Sequence, residues 1–158
     1  MILIAHRGNT HGPIVELENS PQYIIKAINQ GFDVEIDVWN TYEGLFLGHN
    51  RPEYCITNDF LYTYKDKLWI HCKNLEAICC LKEHDLNNEL NYFGHENDDY
   101  VLTSKNYLFC KATTNLDKNC VLVMPEFFNY NCYNEKCFAI LTDFPVRYQK
   151  TNIYSSTI

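Results

Sequence analysis

A chain of 158 residues suits one domain with a sizeable core, spanning 1–158, and 46% hydrophobic with 21% charged residues is a globular composition. The net charge of -7 argues against nonspecific DNA or RNA binding, which needs clustered Lys and Arg, but leaves room for a phosphate pocket built on one or two cations. No apolar run reaches the length of a transmembrane segment, and Met1 leads straight into an apolar strand, so a cytoplasmic protein without a signal sequence is expected.

Eight cysteines in such a chain read as reduced thiols. Cys72, Cys79, Cys80, Cys110 and Cys120 mostly fall in apolar segments, and Cys132 and Cys137 lack the paired spacing of a zinc ribbon. Ile2–Ala5 is a wholly apolar run of the kind found in a central α/β strand. It ends abruptly in His6-Arg7-Gly8, and active groups of parallel barrels lie at such carboxyl ends. Asn9 to Pro13 reads as a loop, with His11 on the surface. Ser20 or Asn19 can cap a helix over 20–30, Pro21 suits its first turn, Gly31 suits its end, and Ile24, Ala27 and Ile28 form its apolar stripe.

Phe32 to Trp39 alternates with period two. Val34, Ile36 and Val38 mark one face, and Asp33, Glu35 and Asp37 the other. Glu35 and Asp37 then stand roughly 7 Å apart along one face and repel unless a cation or shared proton intervenes. The link Asn40–Gly44 is too short for a parallel crossover. A hairpin return through Leu45-Phe46-Leu47 brings His49 beside Asp37. A solvated acidic face with an incidental histidine is the competing reading.

These residues follow one order and spacing: His6-Arg7-Gly8, Glu18-Asn19-Ser20, Ala27, Gly31-Phe32-Asp33-Val34-Glu35-Ile36-Asp37-Val38, Thr41, Gly44 and His49. The series resembles the N-terminal signature of the glycerophosphodiester phosphodiesterase family, within the phosphatidylinositol-phospholipase-C-like barrel superfamily. The resemblance implies His6 and His49 as general acid and base, Arg7 as a phosphate ligand, and Glu35 and Asp37 as metal ligands. Glu18 is expected to orient Arg7 or support the metal site. The substrate implied is a small or lipid-derived phosphodiester whose own hydroxyl attacks, giving a cyclic phosphate before hydrolysis. Carboxylate oxygens suit a hard divalent cation, guanidinium grips phosphate, and imidazole exchanges protons near neutral pH.

Arg51 to Lys67 reads as an irregular, aromatic-rich connection, either a lid or a packed surface loop. The next strand, Leu68–Asn74, ends where the family carries Ile-Glu-Ile-Lys. Lys73 keeps the phosphate-binding position, while His71 replaces the third acid, with a lost ligand or a simple strand histidine as the alternatives. Magnesium or calcium is the cation implied, and His71 brings in manganese or zinc. Asn50 replaces the aspartate usual after the second histidine. Asn74 caps a helix over 75–84. His95 and Glu96 end a further apolar lead, where Glu96 is a candidate for the missing carboxylate, His95 or Asp98 is a candidate substrate contact, and a solvated loop is the alternative. Tyr107–Cys110, Cys120–Met124 and Cys137–Leu141 read as strands, and Thr142-Asp143-Phe144-Pro145 is similar to the family's closing Thr-Asp-x-Pro. Asp143 is placed as a structural or rim residue, and the tail from Val146 as a polar end.

A full (β/α)₈ barrel takes about 250 residues. With convincing helices only in 20–30 and 75–84, the expected fold is a reduced or incomplete TIM-type (β/α) barrel with few helices. A homodimer is one way to cover its strand flanks. The leading expectation is a metal-dependent phosphodiester hydrolase. Its rivals are a sphingomyelinase-D-like or phospholipase-like lyase using the same residues, and a non-catalytic phospholigand-binding module.

Overall fold

Ile2–His6 (β1) lies between two parallel neighbours, Asp33–Thr41 (β2) and Ala139–Thr142 (β10), as its wholly apolar sequence requires of a central strand. The computed structural model describes residues 1–111, 118–128 and 137–154. Pro21–Asn29 (α1) joins β1 to β2. Ser20 is its N-cap by backbone geometry alone, Pro21 opens its first turn, and Gly31 leaves it at a φ of 93°, a conformation glycine adopts without penalty.

β2 turns at Tyr42-Glu43 and returns antiparallel as Gly44–Leu47 (β3), which Tyr54–Ile56 (β4) extends. Asn58–Thr63 (α2) then leads to Leu68–Cys72 (β5), parallel to β2 on the side away from β1. The segment 51–67 is therefore not the irregular connection its sequence suggests. A six-residue helix completes fewer than two turns, too few for a periodic signal. Leu75–His84 (α3) follows, started by Asn74, whose side-chain oxygen accepts from Ala77 N at 3.1 Å. The remaining strands are Tyr92–Phe93 (β6), Tyr100–Leu102 (β7), Leu108–Cys110 (β8) and Cys120–Val123 (β9). A single 3₁₀ turn at Pro125–Phe128 follows β9, and Pro145–Tyr154 (α4) follows β10. Pro145 opens a helix there, where the sequence reads as a polar tail.

The strands run in the order β6-β5-β2-β1-β10-β9-β8-β7, parallel throughout except that β7 is antiparallel to β8. The sheet curls until Phe93 of β6 and Phe109 of β8 bring their rings within 4.5 Å. No ladder joins those two strands among the described residues. Ser104, in the turn between β7 and β8, ties that turn to β6: its N–H donates to Tyr92 O at 2.8 Å, and its hydroxyl accepts from Tyr92 N at 3.0 Å. The result is a mixed α/β fold with few helices, an incomplete barrel in outline.

Alternation along β2 sorts its side chains between two compartments. Val34, Ile36 and Val38 join the core between sheet and helices, with Ile24, Ala27, Ala77 and Leu81. Inside the curl, Ile4, Trp69, Phe93, Phe109, Val121, Ala139 and Leu141 form a second core. Asp33 sits at one end of that interior, held by Lys67 at 2.8 Å and Trp69 Nε1 at 3.1 Å. No helix among the described residues is long and apolar enough to cross a membrane.

Candidate functional site

Parallel neighbours at the same register point the same way, and this aligns the ionisable residues at the strand ends. His6 lies opposite Glu35 across β1 and β2, and Asp37 lies opposite His71 across β2 and β5. Glu35, Asp37 and His71 are all buried, with a potential ligand atom of each lying within 4.8 Å of the others, and they could hold a metal ion.

Asp37 uses its two oxygens differently. Oδ2 accepts from Asn19 Nδ2 at 2.9 Å and from His49 Nδ1 at 3.2 Å, with Arg7 Nε at 3.1 Å. Oδ1 stands 3.0 Å from His71 Nδ1 and 3.5 Å from Lys73 Nζ, yet no aligned hydrogen bond reaches it. Glu35 Oε2 is likewise buried without a donor. Buried carboxylate oxygens without partners are costly, and Asp37 Oδ1 beside a Glu35 whose other oxygen, Oε1, stands 3.7 Å from the same His71 Nδ1 fits a bound cation. The other side of His71 agrees. Its Nε2 lies 3.4 Å from the carbonyl oxygen of His95, so a proton held there leaves the Nδ1 lone pair turned to both carboxylates. Two carboxylates and one imidazole form a donor set for a divalent ion.

The protonation of the acids follows their surroundings. Burial, reinforced by the Asp37 charge, raises the Glu35 pKa. Burial also works to raise Asp37, but the hydrogen bond from His49, the neighbouring His71 and the Arg7 charge outweigh it and hold Asp37 well below the ordinary value.

Arg7 reaches the site because the chain turns sharply after β1. Its φ is 52°, its N–H donates to Glu35 O at 2.9 Å, and its carbonyl accepts from Asn19 N at 3.1 Å. The guanidinium donates from Nη1 to Glu18 Oε2 at 3.0 Å and from Nη2 to His49 Nε2 at 3.2 Å. Glu18 thus orients Arg7. Because guanidinium only donates, His49 Nε2 must be an acceptor, and the His49 proton sits on Nδ1 facing Asp37. The hairpin places this histidine as expected: Gly48 N–H donates to Asp37 O at 3.1 Å, and Trp39 Nε1 to Gly48 O at 2.6 Å. Asn50 is exposed, and Asp37 orients His49 in its stead.

His6 is held from the far end of the chain. Its Nδ1 pairs with Asp143 Oδ1 at 2.9 Å. Burial opposes a charge on His6, but the Asp143 hydrogen bond and the Glu35 charge prevail and raise its pKa. Asp143 also accepts from Asn9 Nδ2 at 2.8 Å, and its backbone N–H donates to Glu126 Oε1 at 3.1 Å. Asp143 is therefore more than a rim residue.

A cavity of about 360 Å³ opens onto His6, Arg7, Glu35, His49, His71 and Lys73, and a second, of about 440 Å³, is lined by His6, Arg7, Glu18 and His49 as well. His95 stacks on His71 with ring centres 4.8 Å apart, its own pKa lowered by burial and by the neighbouring imidazole. Glu96 is exposed on the cavity wall and stands outside the carboxylate–histidine group. His11 is exposed, as expected. Asn9 and Asn19 are fully buried polar residues whose part sequence reasoning missed. For Asn19 the available signal was its place in the Glu18-Asn19-Ser20 series. It is not a helix cap but a two-point brace, since its Oδ1 also accepts from Asp37 N at 2.9 Å.

In comparisons with known proteins, no family model, curated protein or solved structure matches this chain.

Proposed function

We propose that this protein is a metal-dependent phosphodiester hydrolase built on a reduced TIM-type barrel, acting on a glycerophosphodiester or related phosphodiester. The observation that carries the proposal is convergence. His6, Arg7, Glu35, His49, His71 and Lys73 come from β1, β2, β5 and the turns after β1, β3 and β5, yet face one cavity, with Asp37 behind them. Glu35, Asp37 and His71 would hold the divalent cation, magnesium or calcium, or else manganese or zinc because of His71. When bound, it supplies positive charge that polarises the phosphoryl group.

The chain's own residues divide the remaining work. Arg7, pre-oriented by Glu18, and Lys73 grip the phosphate oxygens. Asp143 favours the charged form of His6, which suits it to protonate the leaving alcohol from Nε2. His49, neutral and bearing its proton on Nδ1, presents Nε2 as the base once phosphate draws Arg7 away. The attacking hydroxyl belongs to the substrate or to water. A lyase of the sphingomyelinase-D type would use the same groups. Product analysis for a cyclic phosphate separates the two.

The test is release of alcohol from glycerophosphodiesters with magnesium, calcium, manganese and zinc in turn. His6→Ala and His49→Ala should each cut turnover by about 10²-fold or more with any active metal. Binding without turnover under every cation would leave a phospholigand-binding module instead.

A further inference from the structure

The cavity that holds these polar groups is unevenly lined. Ionisable groups come from β1, β2, β5 and the turns after them, and from His95, Glu96, Asp98, Asp99 and Lys111, of which all but His95 are exposed. The apolar part of the opposite wall is the buried Phe93, Phe109, Met124 and Leu141 with the half-buried Val101 and Val123. In a filled barrel, inward side chains from opposing strands close this space. Here no ladder joins β6 and β8 among the described residues, and Phe93, Phe109 and Leu141 of the inner core line the cavity instead of filling it.

We propose that one of the two groups esterified to the substrate phosphate is a compact apolar group, a short alkyl or an aryl, seated against Val101, Phe109, Val123 and Leu141. This rests on the phosphodiesterase reading and narrows it. A glycerol or other polyhydroxyl group seated against these four side chains, away from the exposed ionisable groups, would leave its hydroxyls without partners, while an alkyl or phenyl group loses only water contact. The volume sets an upper limit. About 360 Å³ lies near the bottom of the range for small-ligand cavities, roughly 300–1,000 Å³, so the space takes a short chain or one ring rather than a long acyl tail.

Isothermal titration with calcium present, using dimethyl phosphate, butyl methyl phosphate and glycerol methyl phosphate, tests this directly. Affinity should rise by roughly fourfold per added methylene before it levels off, and the butyl ester should exceed the glycerol ester by about tenfold or more. Val123→Thr keeps the side-chain shape and adds a hydroxyl to the wall. It should weaken the butyl ester by roughly fivefold relative to dimethyl phosphate, with an unchanged melting temperature confirming the fold. A glycerol ester bound as tightly as the butyl ester overturns the inference and leaves the proposed function standing. If no phosphodiester binds, phenol decides. Methyl NMR shifts at Val101, Val123 and Leu141 then retain an apolar site and remove the phosphodiesterase reading, whereas no shifts overturn both.

Discussion

Asp37 is the residue on which the site's order depends, because its two oxygens face different groups. Asn19 fixes the orientation by donating to Oδ2 and accepting from the Asp37 backbone, both at 2.9 Å. Such braces behind metal ligands commonly contribute 10–100-fold in affinity. Asn19→Ala should therefore weaken manganese binding by about that factor, measured by competition with a chelating dye. An unchanged affinity would remove Asn19 from the site. His6 and Asp143 make a second pair whose effect depends on pH. The His6 pKa is raised from 6.5 and that of Asp143 lowered from 3.8, so both contributions favour the folded state between those values. As pH falls through the depressed folded value of Asp143, its contribution is lost. As pH climbs through the elevated folded value of His6, the histidine's share is lost as well. Asp143→Asn should lower the melting temperature by a few degrees inside the window and by less in alkaline buffer. A deficit that does not change with pH would show that the pair acts by packing alone.

Strand ends and helix starts hold these residues in place, and two small features carry much of that task. The Asn74 side chain caps α3, accepts from Asn40 N at 3.1 Å and donates to Asn40 O at 2.8 Å, tying α3 to β2 beside the site. Asn74→Ala removes a cap and a cross-link together. It should destabilise the fold by about 1–2 kcal/mol in urea titration. Gly48 has a φ of 148°, and a Cβ there would collide with the Arg51 carbonyl oxygen. Gly48→Ala should displace His49, lowering turnover by about tenfold or more while the far-UV spectrum stays native. The elements that set this frame differ in how openly the sequence announces them. β1, β2 and α1 carry long or periodic patterns with clear start and stop residues. β7, α2 and α4 do not, because two are too short to repeat a period and the third is largely polar.

Across the molecule, burial divides the cysteines. Cys72, Cys110 and Cys120 are buried, while Cys55 and Cys79 are exposed, so the apolar context of Cys79 is misleading. Cys132 lies outside the described residues. Burial pushes the Cys72 and Cys110 thiols up to about 12, where almost no thiolate exists near neutral pH. Iodoacetamide at pH 8 followed by mass spectrometry should label Cys55 and Cys79 first, and Cys72 and Cys110 only after denaturant is added. Early labelling of Cys72 would mean that the sheet opens beneath α3. Much of this organisation is local in origin. Period-two alternation on β2 and the short link to β3 determined that Glu35, Asp37 and His49 share one neighbourhood, since side-chain direction and hairpin reach depend on few residues. Only the folded chain decided the rest. Asp143 reaches His6 across 137 positions in sequence, His71 completes the carboxylate pair through strand register, and the apolar wall opposite exists because a sheet that curls without closing leaves space inside. Those are contacts between distant segments, set by pairing and packing, and no local pattern of residues encodes them.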